Sequence, residues 1–148
     1  MHSQESFETR AEASDAVVAV LSARLDALLA SLELAMRAEP TARVAGAVAP
    51  REPAEVLAEL ERELNELERQ IAERHRAADV ETKEASEWEM RAMLAIDEGR
   101  DESAKEARDR HGEHLEAAAI QRDSTAELEP IRDSYRNAVA AVRATIGR

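Results

Sequence analysis

His111 and His114 stand one helical turn apart in "HGEH", a spacing at which two imidazoles on one face of a helix can grip a divalent cation. A carboxylate from a facing helix, Glu87 or Glu89, would complete such a site. The pattern falls short of a metal centre. A di-metal helical bundle carries Glu-x-x-His on two helices, no histidine here has glutamate three positions before it, and Gly112 loosens the scaffold between the pair. Nucleophilic catalysis has less support: Ser103 and His111 share one helical stretch with no third member, and cysteine is absent. The 32 Asp and Glu residues lie on amphipathic stretches, where carboxylates are solvated, and nothing indicates a concave apolar site that would tune one for acid–base work. Gly46, Gly99, Gly112 and Gly147 form no phosphate-cradling loop. The expectation is a chain with no catalytic residue, no metal and no cofactor.

The totals narrow the class further. Of 148 residues, 35% are charged and only Phe7, Trp88 and Tyr135 are aromatic, so a thick, well-filled core is not expected. Ala, Leu and Val mixed with Glu and Arg describe long helices sharing narrow seams. A net charge of −12 opposes a phosphate backbone, and three scattered aromatics build no base-stacking platform, which excludes nucleic acid as a direct partner. The absence of cysteine fits a reducing compartment. "MHSQESFETRAEASD" has acids where a secretory signal needs bases and an apolar core, and Arg24 and Asp26 interrupt the most apolar run, Ala16 to Leu34. The expected location is cytoplasmic, with peripheral contact to the inner face of the cell membrane left open.

Proline and glycine punctuate three segments. Over 1–38, Val18, Leu21, Leu25, Leu28 and Leu32 recur at steps of three and four, the stripe of an amphipathic helix, widened by Val17, Val20, Leu29 and Leu34. Over 39–52, Pro40, Gly46 and Pro50 mark a linker, and Pro53 suits the first turn of the next helix. Over 53–148 two stretches of similar length flank a turn near 98–102. The first carries Leu57, Leu60, Leu64, Leu67, Ile71, His75, Ala78, Thr82, Ala85 and Trp88, a heptad seam with one extra step after Ile71. The second carries Ala104, Ala107, His111, Leu115 and Ala118 near the turn, and Leu128, Ile131, Tyr135, Ala138, Val142 and Ile146 farther on, with Pro130 expected to bend or break it. The fold class is all-α: a long antiparallel helical hairpin, a coiled coil, preceded by an amphipathic N-terminal helix.

Charge offers an independent register. With a turn centred near residue 100, facing residues add to about 200. Residues 52–70 hold seven glutamates against Arg62 and Arg69, while residues 130–148 hold four arginines against Asp133, so the facing stretches have opposite sign. Glu68 and Arg132 are the expected pair.

The turn itself carries the most specific text, "SEWEMRAMLAIDEGRDESAKEAR". Gly99 supplies the permissive backbone of a helix end and Asp101 a cap for the next helix. Trp88 at seam spacing is expected to pack on the small surfaces of Ala104 and Ala107, and Met36, Met90 and Met93 read as adaptable hydrophobes. Trp88, Arg91, Ala92, Ala95, Ile96, Gly99, Arg100, Asp101, Glu102, Ala104 and Ala107 resemble the hairpin tip of the phage shock protein A family, bacterial members of the ESCRT-III-like membrane-remodelling superfamily. The likeness is strongest over these residues and extends weakly through "PAEVLAELERELNELERQIAE". Ser103 and Arg108 stand where the family usually has leucine, and the implied relative is a short one, ending at Arg148 where the family runs on into helices that lock subunits together.

That resemblance implies a stress-response scaffold that maintains or remodels membranes through self-association into a homo-oligomer and peripheral contact with lipid. Val18, Leu21, Leu25, Leu28 and Leu32 would supply the membrane or partner contact; Trp88, Ala92, Gly99, Ala104 and Ala107 would hold the tip. Residues 5–39 carry three arginines against seven acids, which repels anionic lipid and leaves only apolar insertion. The general preference of amphipathic helices for protein cores favours the same stripe packing back on the hairpin as a third bundle helix. The alternative function is a coiled-coil adaptor or regulator that binds a protein partner through the hairpin.

Overall fold

The computed structural model describes the backbone of residues 2–37 and 52–147, and the side chains of 15–34, 37 and 52–147. Apart from Glu52, the expected linker over 39–52 lies outside the described residues, as does the side chain of Met36. Three helices make up the fold: α1 (His2–Arg37), α2 (Pro53–Asp97) and α3 (Asp101–Ile146), with no strand among the described residues. The all-α class is as the sequence predicts, and the contacts of α2 with α3 are those of a helical hairpin. No described helix is long and apolar enough to cross a membrane.

Each α2 and α3 boundary follows from local chemistry. The Glu52 carbonyl accepts from the N–H groups of Glu55 and Val56, at 2.9 and 3.1 Å, which puts Pro53 at the first helical position, where its missing N–H costs nothing. At the other end Gly99 takes φ +73°. Its N–H donates to the Ile96 carbonyl, and the Arg100 N–H reaches back to Ala95 at 2.8 Å, the paired bonds of a Schellman termination. The Arg100 carbonyl then accepts from Ala104, so Arg100 caps α3 and Asp101 is its first helical residue. This corrects the expected cap at Asp101, whose charge still favours the positive end of the helix.

The chain divides into two compact units. Unit 1 comprises Met1–Arg69 and Glu127–Arg148, and unit 2 comprises Gln70–Ala126. In unit 1 three helices share a leucine-rich core. Leu21, Leu25, Leu28 and Leu32 of α1, Val56, Leu60 and Leu67 of α2, and Leu128, Tyr135 and Val142 of α3 are buried in it. Here α3 also buries Ile131, Ala138 and Val139, a broader stripe than one neighbour requires, because it faces both other helices. The Tyr135 hydroxyl donates to the Leu21 carbonyl at 3.1 Å, and Arg24 pairs with Glu63 at 3.3 Å, tying α1 to the other two. Arg136 pairs with Glu68 at 3.0 Å and Arg143 with Glu61 at 2.8 Å. The partner of Glu68 is thus one helical turn beyond the expected Arg132, which instead bonds to Asp133.

Unit 2 contains only stretches of α2 and α3, and its buried stripe is narrow. Apart from Ile71 its buried residues are small, Ala78, Ala85, Ala92 and Ala95 on α2 and Ala104, Ala107, Ala118 and Thr125 on α3, and such side chains let two backbones approach closely. Polar residues fill the half-buried positions between them. Arg74 donates to Ser124, and Arg122 donates to Thr82 Oγ1 at 2.7 Å. The α2 seam is therefore an unbroken alternation of three and four that passes through Arg74, not through the expected His75, which is exposed, and through Glu81, beside the expected and likewise half-buried Thr82. On α3 His114 occupies the seam and Leu115 is exposed, reversing the expected assignment. Ile146 is likewise exposed. Helix α3 continues through Pro130 without the expected break; the carbonyl deprived of a donor belongs to Ala126, an exposed residue at which water can serve.

Candidate contact surfaces

The residues with the strongest sequence claim to metal chemistry are held in unit 2 by other partners. His111 Nδ1–H donates to the Ala85 carbonyl at 2.8 Å, which fixes its tautomer, and His114 Nδ1 meets Glu81 Oε2 at 2.5 Å. Neither bond involves Glu87 or Glu89. Among the described residues no group of three or more His, Asp or Glu side chains could hold a metal ion. The polar seam is fully served: no buried side-chain nitrogen or oxygen lacks a hydrogen-bond partner among the described residues. Thr125, the buried polar residue of this stretch, donates back to the Gln121 carbonyl at 2.8 Å.

The α1 stripe faces inward. Leu21, Leu25, Leu28 and Leu32 are buried and Val18 is half-buried, so within unit 1 these five residues are occupied by protein contacts. Val17, Val20 and Leu34 are exposed on the same helix. Tyr135 anchors the stripe from below, and its phenol is held above the ordinary 10.0 first by burial and then by the nearby Glu63 carboxylate, with Arg24 opposing.

At the tip Ala92, Ala104 and Ala107 are buried and Gly99 sits in the turn. Trp88 is half-buried rather than enclosed. Its ring carries the Arg91 guanidinium 4.4 Å from the centroid and that of Arg110 at 5.6 Å, so two cations of the chain itself cover the indole. A shallow cavity of about 310 Å3 opens beside it, floored by Trp88, Leu94, Ala95 and Ala107 and rimmed by Arg91, Arg100, Ser103 and Glu106. Arg100 is itself engaged by Glu98.

What sequence reasoning missed is the outer side of this stretch. Met90, Met93, Leu94 and Ile96 are 64%, 61%, 55% and 48% exposed. A signal was present: none of the four falls on the positions Trp88, Ala92 and Ala95 that define the seam, and an apolar residue off the seam has no partner within its own hairpin.

No family model, curated protein or solved structure matches the chain. The likeness to the phage shock protein A family therefore rests on the sequence pattern alone, strongest at the tip and weaker through residues 53–73.

Proposed function

We propose that the chain is a non-catalytic helical scaffold, in which α2 and α3 form an antiparallel coiled coil that presents a side face to a protein partner while α1 braces the leucine-rich unit. One observation carries this reading. The α1 leucines Leu21, Leu25, Leu28 and Leu32 that could have met a membrane are spent in the core of unit 1, whereas four exposed apolar side chains, Met90, Met93, Leu94 and Ile96, lie close together on α2. Cross-helix pairs support the coiled coil: in unit 1, Glu61 bonds to Arg143 and Glu68 to Arg136; in unit 2, Glu81 bonds to His114 and Ala85 to His111. In both units the α3 number falls as the α2 number rises. Flotation tests the reading. The full chain mixed with phosphatidylglycerol-containing or neutral vesicles should remain at the bottom of a density gradient, and co-flotation would overturn it.

A second reading keeps the function implied by the resemblance: a phage shock protein A-like scaffold on the cytoplasmic face of the membrane, acting through self-association. The observation favouring it is the polar hold on α1, which includes the Tyr135 bond and the exposed Arg24–Glu63 pair. Exposed ion pairs contribute at most about 1 kcal/mol, so a bilayer competing for the leucine stripe would meet little polar resistance. Light scattering separates the two, a large assembly favouring the second.

A further inference from the structure

The helix face that carries the exposed apolar residues has a definite charge. At 3.6 residues a turn, Met90 points almost directly away from the seam set by Ala92 and Ala95, Met93 and Leu94 flank it on opposite sides, Ile96 continues the stripe beyond Met93, and Leu94 also borders the cavity beside Trp88. Glu87 borders the stripe beside Leu94, and Glu89 and Asp97 lie within it. None of the three makes an ion pair with another described residue. The only basic residue between Ser86 and Glu98 is Arg91, and it is turned toward Trp88 on the flank nearer the seam. An apolar stripe with two unbranched, polarisable methionines and three unpaired carboxylates, against Arg91 on one flank and Lys83 two turns before Met90, is complementary to a helix with leucine-like residues on one face and lysine or arginine beside them.

We infer that the outward face of α2 at Glu87, Met90, Met93, Leu94 and Asp97 docks a basic amphipathic helix of a protein partner. The inference deepens the scaffold reading above and rests on it. Other occupants fit worse. An anionic bilayer is repelled by residues 86–110, which hold eight acids against five bases. A second copy would set the same unpaired carboxylates against each other, on a chain already at net charge −12.

The test is calorimetric titration of the full chain with a short tryptophan-free peptide of leucine and lysine at helical spacing, and with its twin carrying glutamate for lysine. Trp88 emission is recorded alongside as a local reporter, since it is the sole tryptophan. The lysine peptide should bind saturably and the glutamate twin should not. Met90→Glu with Leu94→Glu should weaken binding about tenfold or more, the effect of removing anchor side chains from an interface. These side chains are solvent-exposed, so circular dichroism should be unchanged; if it is not, Glu87→Gln with Glu89→Gln and Asp97→Asn decides, with a similar loss expected. Equal binding of the twin, no binding by either peptide, or an affinity indifferent to both sets of variants would overturn the inference. A mass that rises with concentration and is restored to monomer by Met90→Glu with Leu94→Glu would assign the face to a second copy and overturn it as well. Vesicle flotation abolished by the same pair would sink the scaffold reading too, whereas failure of the peptide without flotation sinks the inference alone.

Discussion

Tyr135 shows how much one side chain in a thin core can do. Its ring fills unit 1 where α3 meets both other helices, and its hydroxyl satisfies a carbonyl on α1. Because the folded state holds the phenol proton above the ordinary 10.0, the folded chain keeps that proton at a pH where the unfolded chain has lost it. Stability from this group is therefore complete below about pH 10 and is lost as pH rises through the folded value. Tyr135→Phe should cost about 1 kcal/mol in urea unfolding near neutrality and should flatten the alkaline decline measured for the native chain. The seam position of Tyr135 was legible from its spacing to Leu128 and Val142. Its partner Leu21 was not, because nothing in local sequence says which side of a hairpin a third helix will cover. Charge was legible to a similar depth: Glu68 and the sign of its partner were readable, but Arg132 and Arg136 lie one turn apart on the same face, and counting charges cannot choose between them. Arg136→Ala should destabilise by less than about 1 kcal/mol in the same assay, since both partners are substantially exposed.

At the scale of the element, two glycines predict opposite outcomes. Nothing lies within 4 Å of a Cβ added at either Gly99 or Gly112, so packing does not distinguish them. Backbone does. Gly99 sits at φ +73°, and Gly99→Ala should cost about 1 kcal/mol by forcing a side chain into the left-handed region. Gly112 lies inside α3, and Gly112→Ala should raise stability by about 0.5–1 kcal/mol through helix propensity; thermal melts of the two variants should move in opposite directions. Helix ends were readable because glycine and proline act locally. The course of the seam was not, since a search for apolar residues passes over Arg74 and His114. An arginine can lay its alkyl stem in a seam while its guanidinium finds Ser124, and a half-buried imidazole can meet a glutamate. Passing the α2 seam through Arg74 and Glu81 turns an apparent extra step into a regular heptad.

For the whole molecule the division into a leucine-rich unit and an alanine-rich unit decides where function can reside. Unit 1 spends its large apolar side chains on itself, and Leu25→Ala there should cost about 2–4 kcal/mol, lowering the denaturation midpoint. Unit 2 closes through small residues and polar bonds, and leaves larger ones on its outer face. Composition announced both kinds of seam, yet could not say whether the α1 stripe would face protein or lipid, because burial against either satisfies the same leucines. Amide hydrogen exchange along the full chain, with and without vesicles, addresses that choice most directly. The Leu21–Leu32 amides should be protected about as strongly as those of Leu60–Leu67 and should be indifferent to lipid. Exchange of the α1 amides at nearly the rate of an unstructured peptide, or a change in their protection when vesicles are added, would contradict the burial of the stripe in protein.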